Sequence, residues 1–450
     1  MKALTISHLR RLRAKPDGAG SFVIIAFFND NPIKFMSFYR NPSLRILSSF
    51  LALLSLAFTV ACGNSNNYYG YTSPNATSGY KHRVLVSNTY NGNLLIVNAD
   101  NNFLFGRQIA TTPQPEYLAL SHDGKFTLSF SNLSDTVYYF DNSKEQVNGT
   151  VISGFGGDVE SLGILSNNTS AITASRNAPV NGAANGVVYI LDLTNRVISV
   201  TITVPLVRRV VLNPQGTFVL AFADNTNSAY IINTTSNTAT AISDPDGVLD
   251  RPVNAVFSSD GNTAYILSCG AECGGTQAKV TAFNTSGTTL GPSVDVVGAT
   301  AGVIDGSGNL WVAGSPNGVG YLQSIGISSI GSGTVTPSTP VGITNGYHNL
   351  LAVADDNRLY VGSQNCSNIA DQLGNPVQGC LSIYNMSSGA VVKAQMTGNV
   401  TGLQPDIGKH QVYAVQNGYF IIYDTTTDQP LPQTQQISIS GQTYAVLQIS

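Results

Sequence analysis

The chain has 450 residues and a formal net charge of −3; 42% of its residues are hydrophobic but only 10% are charged. The charged share lies far below the ~25% usual in globular proteins. Asn, Ser, Thr and Gly replace Lys and Glu, which excludes a coiled coil or long-helix protein, while the apolar content is too high for a disordered tail protein. Residues 1–61 hold eight Lys/Arg against two Asp/Glu, which leaves 14 against 23 for the remainder. An acidic body without a basic stripe argues against nucleic acid as a partner.

Arg40 and Arg45 precede a fifteen-residue apolar run, Ile46 to Val60, followed by Ala61 and Cys62. A basic start, a short apolar run and a small residue before a cut site are the parts of a secretory signal, and the run falls short of the ~20 residues that span a bilayer. Thr59-Val60-Ala61-Cys62 resembles the bacterial lipobox, in which the Cys is diacylated and becomes the first mature residue. Thr59 departs from the large aliphatic residue preferred there. An ordinary signal peptide or an uncleaved anchor is the alternative. Two acyl chains give stable anchoring, and the polar, uncharged stretch 63–80 suits a tether. The expected organisation is a start-site extension over 1–35, a lipoprotein signal peptide over 36–61 from Met36, a flexible tether over 62–80 and one domain over 81–450. This places the protein in the bacterial cell envelope, lipid-anchored, at the outer membrane and facing periplasm or cell surface. Gly63 is not the Asp that retains enteric-type lipoproteins in the inner membrane.

Beyond residue 80 the chain repeats. A strand, a polar turn and a second strand recur, with turn residues at Gly124, Asn168, Gly216, Gly261, Gly308, Asn357 and Gly408. Six intervals give a period of about 47 residues, in the range of solenoids and propellers. A second landmark has the same period: an apolar strand ending at Asn98, Asp141, Asp192, Asn233, Asn284, Asn385 or Asp424. Short Asp and Asn side chains bond the backbone ahead and start a turn. One copy, near GYLQSIGIS, is degenerate. Alternation of apolar and polar residues marks strands, and no amphipathic helical stretch follows Cys62. Each unit is four short strands, a to d, so the fold class is all-β, a β-propeller.

Seven complete units start near Pro115, Val159, Val207, Pro252, Thr300, His348 and Val400. The chain opens with strands b, c and d only (RVLVSN, NLLIVN, FGRQIAT) and closes with an a strand only, QTYAVLQIS. Joining them makes an eighth blade and removes an exposed sheet edge. Seven blades would need about 53 residues each, above the period.

Ser121-His122-Asp123-Gly124, Ser258-Ser259-Asp260-Gly261, Asn213-Pro214-Gln215-Gly216, Leu359-Tyr360-Val361 and Ile190-Leu191-Asp192 resemble the repeat of the YVTN-type bacterial β-propeller proteins, related to the seven-bladed lactonase-like group. The resemblance covers roughly 82–450 and is nearly silent on activity, because propellers host many functions. Eight blades depart from the lactonase group. Trp311 has no Asp after it, so the WD signature is missing.

Four cysteines remain after Cys62: Cys269, Cys273, Cys366 and Cys380. An even number in an exported chain implies disulfides, here within the b–c loops of blades four and six. A metal site is not supported at CxxxC. The b–c insertions 175–186, 269–277 and 363–380 collect on one face, often the binding face of a repeat protein. Strand a starts on that face at the mouth of the central channel, where Glu116, Glu160, Arg208, Arg209, His348 and Asn349 form the candidate polar site. Solvated charges at strand ends are the plainer explanation. Asp244, Asp246 and Asp250 resemble a calcium-type turn but lack the later bidentate Glu. No nucleophile elbow, zincin motif, phosphate loop or haem-attachment motif occurs, and no cofactor is implied. His82, His122, His348 and His410 read as turn or surface residues rather than ligands. The expected function is a monomeric, non-catalytic scaffold that binds an envelope protein or glycan. The alternative is a lactonase-like hydrolase of a small anionic lactone or sugar derivative, with Glu116 or Glu160 as general base and Arg208 holding the substrate.

Overall fold

The computed structural model describes residues 77–449 apart from 112–113, 331–334, 368, 371–375, 378, 394–395 and 433–434; for 27–28, 31–32, 369–370 and 376–377 it gives strand placement only. The signal peptide, Cys62 and the tether up to residue 76 therefore lie outside the described residues, as do most of the start-site extension and most of the insertion 363–380. Residues 1–66 form a unit of their own, in which Phe27–Phe28 pairs with Asn31–Pro32. No helix among the described residues is long and apolar enough to cross a membrane.

Residues 77–449 build eight antiparallel sheets, the blades. Blade 1 runs Tyr117–Leu120, Phe126–Phe130, Thr136–Asp141, with Gln146–Val147 and Ile152–Ser153 sharing the fourth position. Blade 2 is Ser161–Ile164, Ser170–Ser175, Val187–Asp192, Val197–Thr203, and blade 3 is Val207–Leu212, Val219–Ala223, Ala229–Asn233, Thr238–Ala241. Blade 4 is Pro252–Phe257, Thr263–Ser268, Lys279–Asn284, Thr289–Asp295, and blade 5 is Ala301–Ile304, Asn309–Gly314, Gly320–Gly326, Val341–Ile343. Blade 6 is Tyr347–Ala354, Arg358–Gln364, Leu381–Asn385, Val391–Lys393, and blade 7 is Val400–Asp406, Gln411–Gln416, Tyr419–Asp424, Gln429–Pro430. Blade 8 takes its a strand, Thr443–Gln448, from the carboxyl end and the rest, Arg83–Asn88, Asn93–Asn98 and Phe103–Leu104, from the amino side. The seam is antiparallel, pairing Val84 with Gln448, Leu85 with Leu447 and Val86 with Val446.

The turns follow from local chemistry. All seven repeat-turn residues have left-handed backbones, from +54° at Asn168 and Asn357 to +84° at Gly408. That conformation suits Gly and is tolerated by Asn. At the ends of strands c, Asp141, Asp192, Asn233, Asn385 and Asp424 each accept backbone N–H groups two and three residues ahead. Asn98 accepts from Asp100, and Asn284 from Gly287. The degenerate copy is strand c of blade 5, which ends at Gly326 and runs into a single helical turn, Ile327–Ile330.

There is no single core. Eight apolar layers lie one between each pair of adjacent blades. Strands b and c are covered on both faces, so they read as continuous apolar runs rather than strict alternation. Successive residues serve opposite layers: Val84 and Val86 face blade 7, whereas Leu85 faces blade 1. Residues just before Lys81 also touch the blades. Ser78 donates its backbone N–H and its hydroxyl to Glu145 at 2.5 Å each, and Tyr80 meets Phe105 edge to face.

The turns are testable one at a time. At Gly216 (φ +62°) a Cβ would lie 2.5 Å from His122 Nε2 and 2.7 Å from Ser166 N, whereas at Gly408 (φ +84°) it would meet nothing. Gly408→Ala is expected to cost only backbone strain, about 1 kcal/mol, and Gly216→Ala distinctly more. Denaturant unfolding of both variants checks this, and equal losses would contradict it.

Candidate functional site

Strand a opens, and the b–c loops emerge, on the same face. The residues singled out at the channel mouth separate there into two groups. Glu160 precedes strand a of blade 2, Arg176 follows its strand b, Arg208 lies in strand a of blade 3 and Asp224 follows that blade's strand b. They close a ring of alternating charge: Arg176 lies 3.2 Å from Glu160 and 2.5 Å from Asp224, and Arg208 lies 3.4 Å from Glu160 and 3.6 Å from Asp224. The ring's formal charges cancel. Burial raises the Glu160 carboxyl, and the two guanidiniums pull it back.

Arg208 also sits 6.0 Å from the ring centroid of Tyr347, the first residue of strand a in blade 6. Blades 3 and 6 are not neighbours, so this contact crosses the channel mouth. On another side Tyr117 and Tyr444, from blades 1 and 8, share a hydroxyl contact of 3.1 Å with rings edge to face. Asn132 donates to the Tyr117 hydroxyl at 3.4 Å. Arg209 makes no ion pair among the described residues; burial raises the Tyr117 hydroxyl, and Arg209 and Arg208 only partly pull it back.

Glu116 is 5% exposed, and its Oε2 accepts from the Ser131 hydroxyl at 2.7 Å and from Asn132 N–H at 2.9 Å. Burial raises its pKa against those two bonds. The carboxylate thus orders the b–c turn of blade 1. His348, expected at the mouth, lies fully buried; its Nε2 donates to Thr344 O at 2.9 Å, and Nδ1 has no partner. Asn349 beside it is half-buried, with its side-chain oxygen unpartnered.

The acidic turn is held partly by its own backbone and partly by the Cys269–Cys273 loop. Asp244 accepts from Val248 and Leu249, and Asp250 accepts from Thr276 and Gln277, while Asp246 makes no bond to either. Both disulfides form within their loops, Cys269–Cys273 and Cys366–Cys380, with Cα atoms 5.7 and 5.4 Å apart. The Cys269–Cys273 turn carries Glu272, whose carboxylate accepts Ser315 N–H of the next blade at 2.5 Å. His82 and His410 pair with Asp100 and Asp356, and His122 bonds Ile164 O.

Arg176, Asp224, Tyr117, Tyr347 and Tyr444 escape sequence reasoning. One signal was available: when the repeats are stacked, Tyr stands at or near the start of strand a in blades 1, 6 and 8.

No family model matches the chain, and no curated protein matches it. Among solved structures it is similar to dihydro-heme d1 dehydrogenase NirN in complex with DHE, at 11% identity and a TM-score of 0.62, covering 84% of this chain and 76% of that one. It is also similar to the Cps50 (Swd1) β-propeller domain of Myceliophteria thermophila, at 12% identity and a TM-score of 0.48, covering 67% and 93%. The first likeness establishes the fold, a β-propeller, and nothing of the chemistry.

Two groups shifted by burial contribute to the pH response. Burial lowers His348 from an ordinary 6.5 to about 4 and raises Glu272 from 4.5 to about 7. The unfolded His takes up a proton below 6.5 while the folded one resists, so stability falls as pH drops from 6.5 towards 4. The unfolded Glu loses its proton above 4.5 while the folded one keeps it to about 7, so its contribution falls as pH rises through that window. His348→Gln should flatten the acid limb of the thermal midpoint against pH, and Glu272→Gln should lift the neutral side. Profiles that match the parent's on both limbs would contradict these assignments.

Proposed function

We propose that the chain is a non-catalytic binding scaffold of the bacterial cell envelope, held to the membrane by a lipid on Cys62 and presenting one face of the propeller to an envelope partner. The repeat pattern supports placing it with the YVTN-type propellers. One observation carries the reading: both carboxylates that could serve as a general base are already engaged. A base needs a free lone pair facing the substrate. The oxygens of Glu160 face two guanidiniums, and Glu116 is buried with its Oε2 held by Ser131 and Asn132. Arg208, the proposed substrate clamp of a hydrolase, is committed to Glu160, Asp224 and the face of Tyr347. The loops of the same face are pinned by two disulfides, which lowers the ordering cost of binding.

A panel of aliphatic and aromatic lactones tests the negative half. The expected result is turnover no faster than the blank, with Glu116→Gln and Glu160→Gln indistinguishable from the parent. Turnover that either substitution abolishes would replace the scaffold with a hydrolase. The anchor is tested by fractionation: Cys62→Ala should move the protein from the membrane to the soluble fraction and abolish labelled-palmitate incorporation.

A further inference from the structure

Among the described residues seven large apolar or aromatic side chains are exposed, and four of them, Tyr90, Leu133, Val319 and Tyr419, sit at b–c turns of one face. Three belong to consecutive blades: Tyr419 of blade 7, Tyr90 of blade 8 and Leu133 of blade 1, exposed by 58, 79 and 67%. They form an arc beside the channel mouth, apart from the charged ring of blades 2 and 3.

The arc is built rather than loose. Asn417 and Gly418 have φ of +52° and +76°, the two-residue hairpin geometry that Asn-Gly favours, so Tyr419 leaves a fixed turn. Thr89 N–H donates to Gln442 O at 2.8 Å, and Thr443 N–H to Gly418 O at 2.9 Å. One short segment, Gln442–Thr443, thus ties the Tyr90 turn to the Tyr419 turn. Asn91 is fixed through its N–H to Asn88 and its Nδ2 to Ser440 O at 3.0 Å, and its side-chain oxygen has no partner among the described residues. Neither phenol has a partner among the described residues.

Charge is the discriminating feature. Segments 88–93, 396–400, 416–419 and 431–443 contain no Asp, Glu, Lys, Arg or His, and the blade 1 turn 131–135 has one charged residue, the exposed Asp135. Nucleic acids and anionic polymers need cations, and protein-binding hot spots combine aromatics with Arg. A lipid or apolar helix needs contiguous apolar surface, whereas here the apolar side chains stand singly among Asn, Gln, Ser and Gly. Tyr offers a rigid, amphipathic ring at low entropic cost, and amides both donate and accept. An uncharged sugar has the complementary surface: a C–H face for the ring and hydroxyls for the amides.

We propose that the arc Tyr419–Tyr90–Leu133 binds a neutral oligosaccharide, with sugar rings against the two tyrosines and hydroxyls on Asn417, Asn91 and Gln442. This rests on the scaffold reading and names its ligand class.

The test is calorimetric titration of the full chain with cellohexaose, maltohexaose and chitohexaose, with an alginate hexamer as the anionic comparison. At least one neutral sugar should saturate, and raised salt should leave its affinity unchanged. Tyr90→Ala and Tyr419→Ala should each weaken it by about tenfold at an unaltered thermal midpoint, Tyr90→Phe should restore the stacking part, and Arg176→Ala should have no effect. Absence of saturation by every neutral sugar, parent-like affinity in both alanine variants, or binding of alginate alone would overturn the proposal. The two readings fail separately. Lactone turnover with sugar binding intact removes only the scaffold, and absence of both turnover and sugar binding removes only this site.

Discussion

Strand Thr443–Gln448 lies against Arg83–Asn88, and the rest of the molecule depends on that contact. Without it the strand Arg83–Asn88 would show an open edge, and the apolar layer between blades 7 and 8 would lose Val446. Open edges invite pairing with other chains. A ring of eight layers has no end at which fraying can begin, so each layer holds its neighbours in place. Each fully buried aliphatic side chain contributes roughly 1.5–3 kcal/mol, and Val84, Leu85 and Val86 are all buried at the seam. The hydrogen bonds of the seam give register more than energy, since a one-residue slip would exchange the faces of Val86 and Leu85.

Much of this architecture is legible in the chain because it is local. A left-handed turn needs Gly or Asn at one position, and a strand end that starts a turn needs Asp or Asn. Each signal recurs in seven of the eight blades, so Gly124 to Gly408 and Asn98 to Asp424 locate the strands, and the unpaired a strand at the end predicts the seam. Both intraloop disulfides were legible for the same reason. The channel mouth was not. Glu160 meets Arg176 and Arg208 from two blades, and Arg208 reaches Tyr347 across the ring. Such contacts are set by curvature and closure, which no local pattern encodes. His348 shows the reverse case: its place at the start of a strand suggested exposure, but the alternation of faces turns it inward.

The face that carries the loops has two electrostatic characters. Over blades 2 and 3 its charges are paired into a closed ring. Over blades 7 and 8 its b–c turns have no charged residue and carry exposed tyrosines. Pairing charges this way removes the ring's own long-range steering, so the proposed partner would be held there by short-range contacts. Fixed turns and disulfides provide these with little ordering cost. The low charge of the whole chain, odd at first sight, is consistent with a surface that works by shape and hydrogen bonding.

Native-state hydrogen exchange at the seam tests ring closure most directly. If the ring is shut, the amides of Val84–Val86 and Val446–Gln448 that join the ladder exchange as slowly as those of Leu220–Phe222, deep in blade 3, and all open together under rising denaturant. Fast exchange at the seam while blade 3 stays protected would mean that the ring is open and that the blades stand without their stitch.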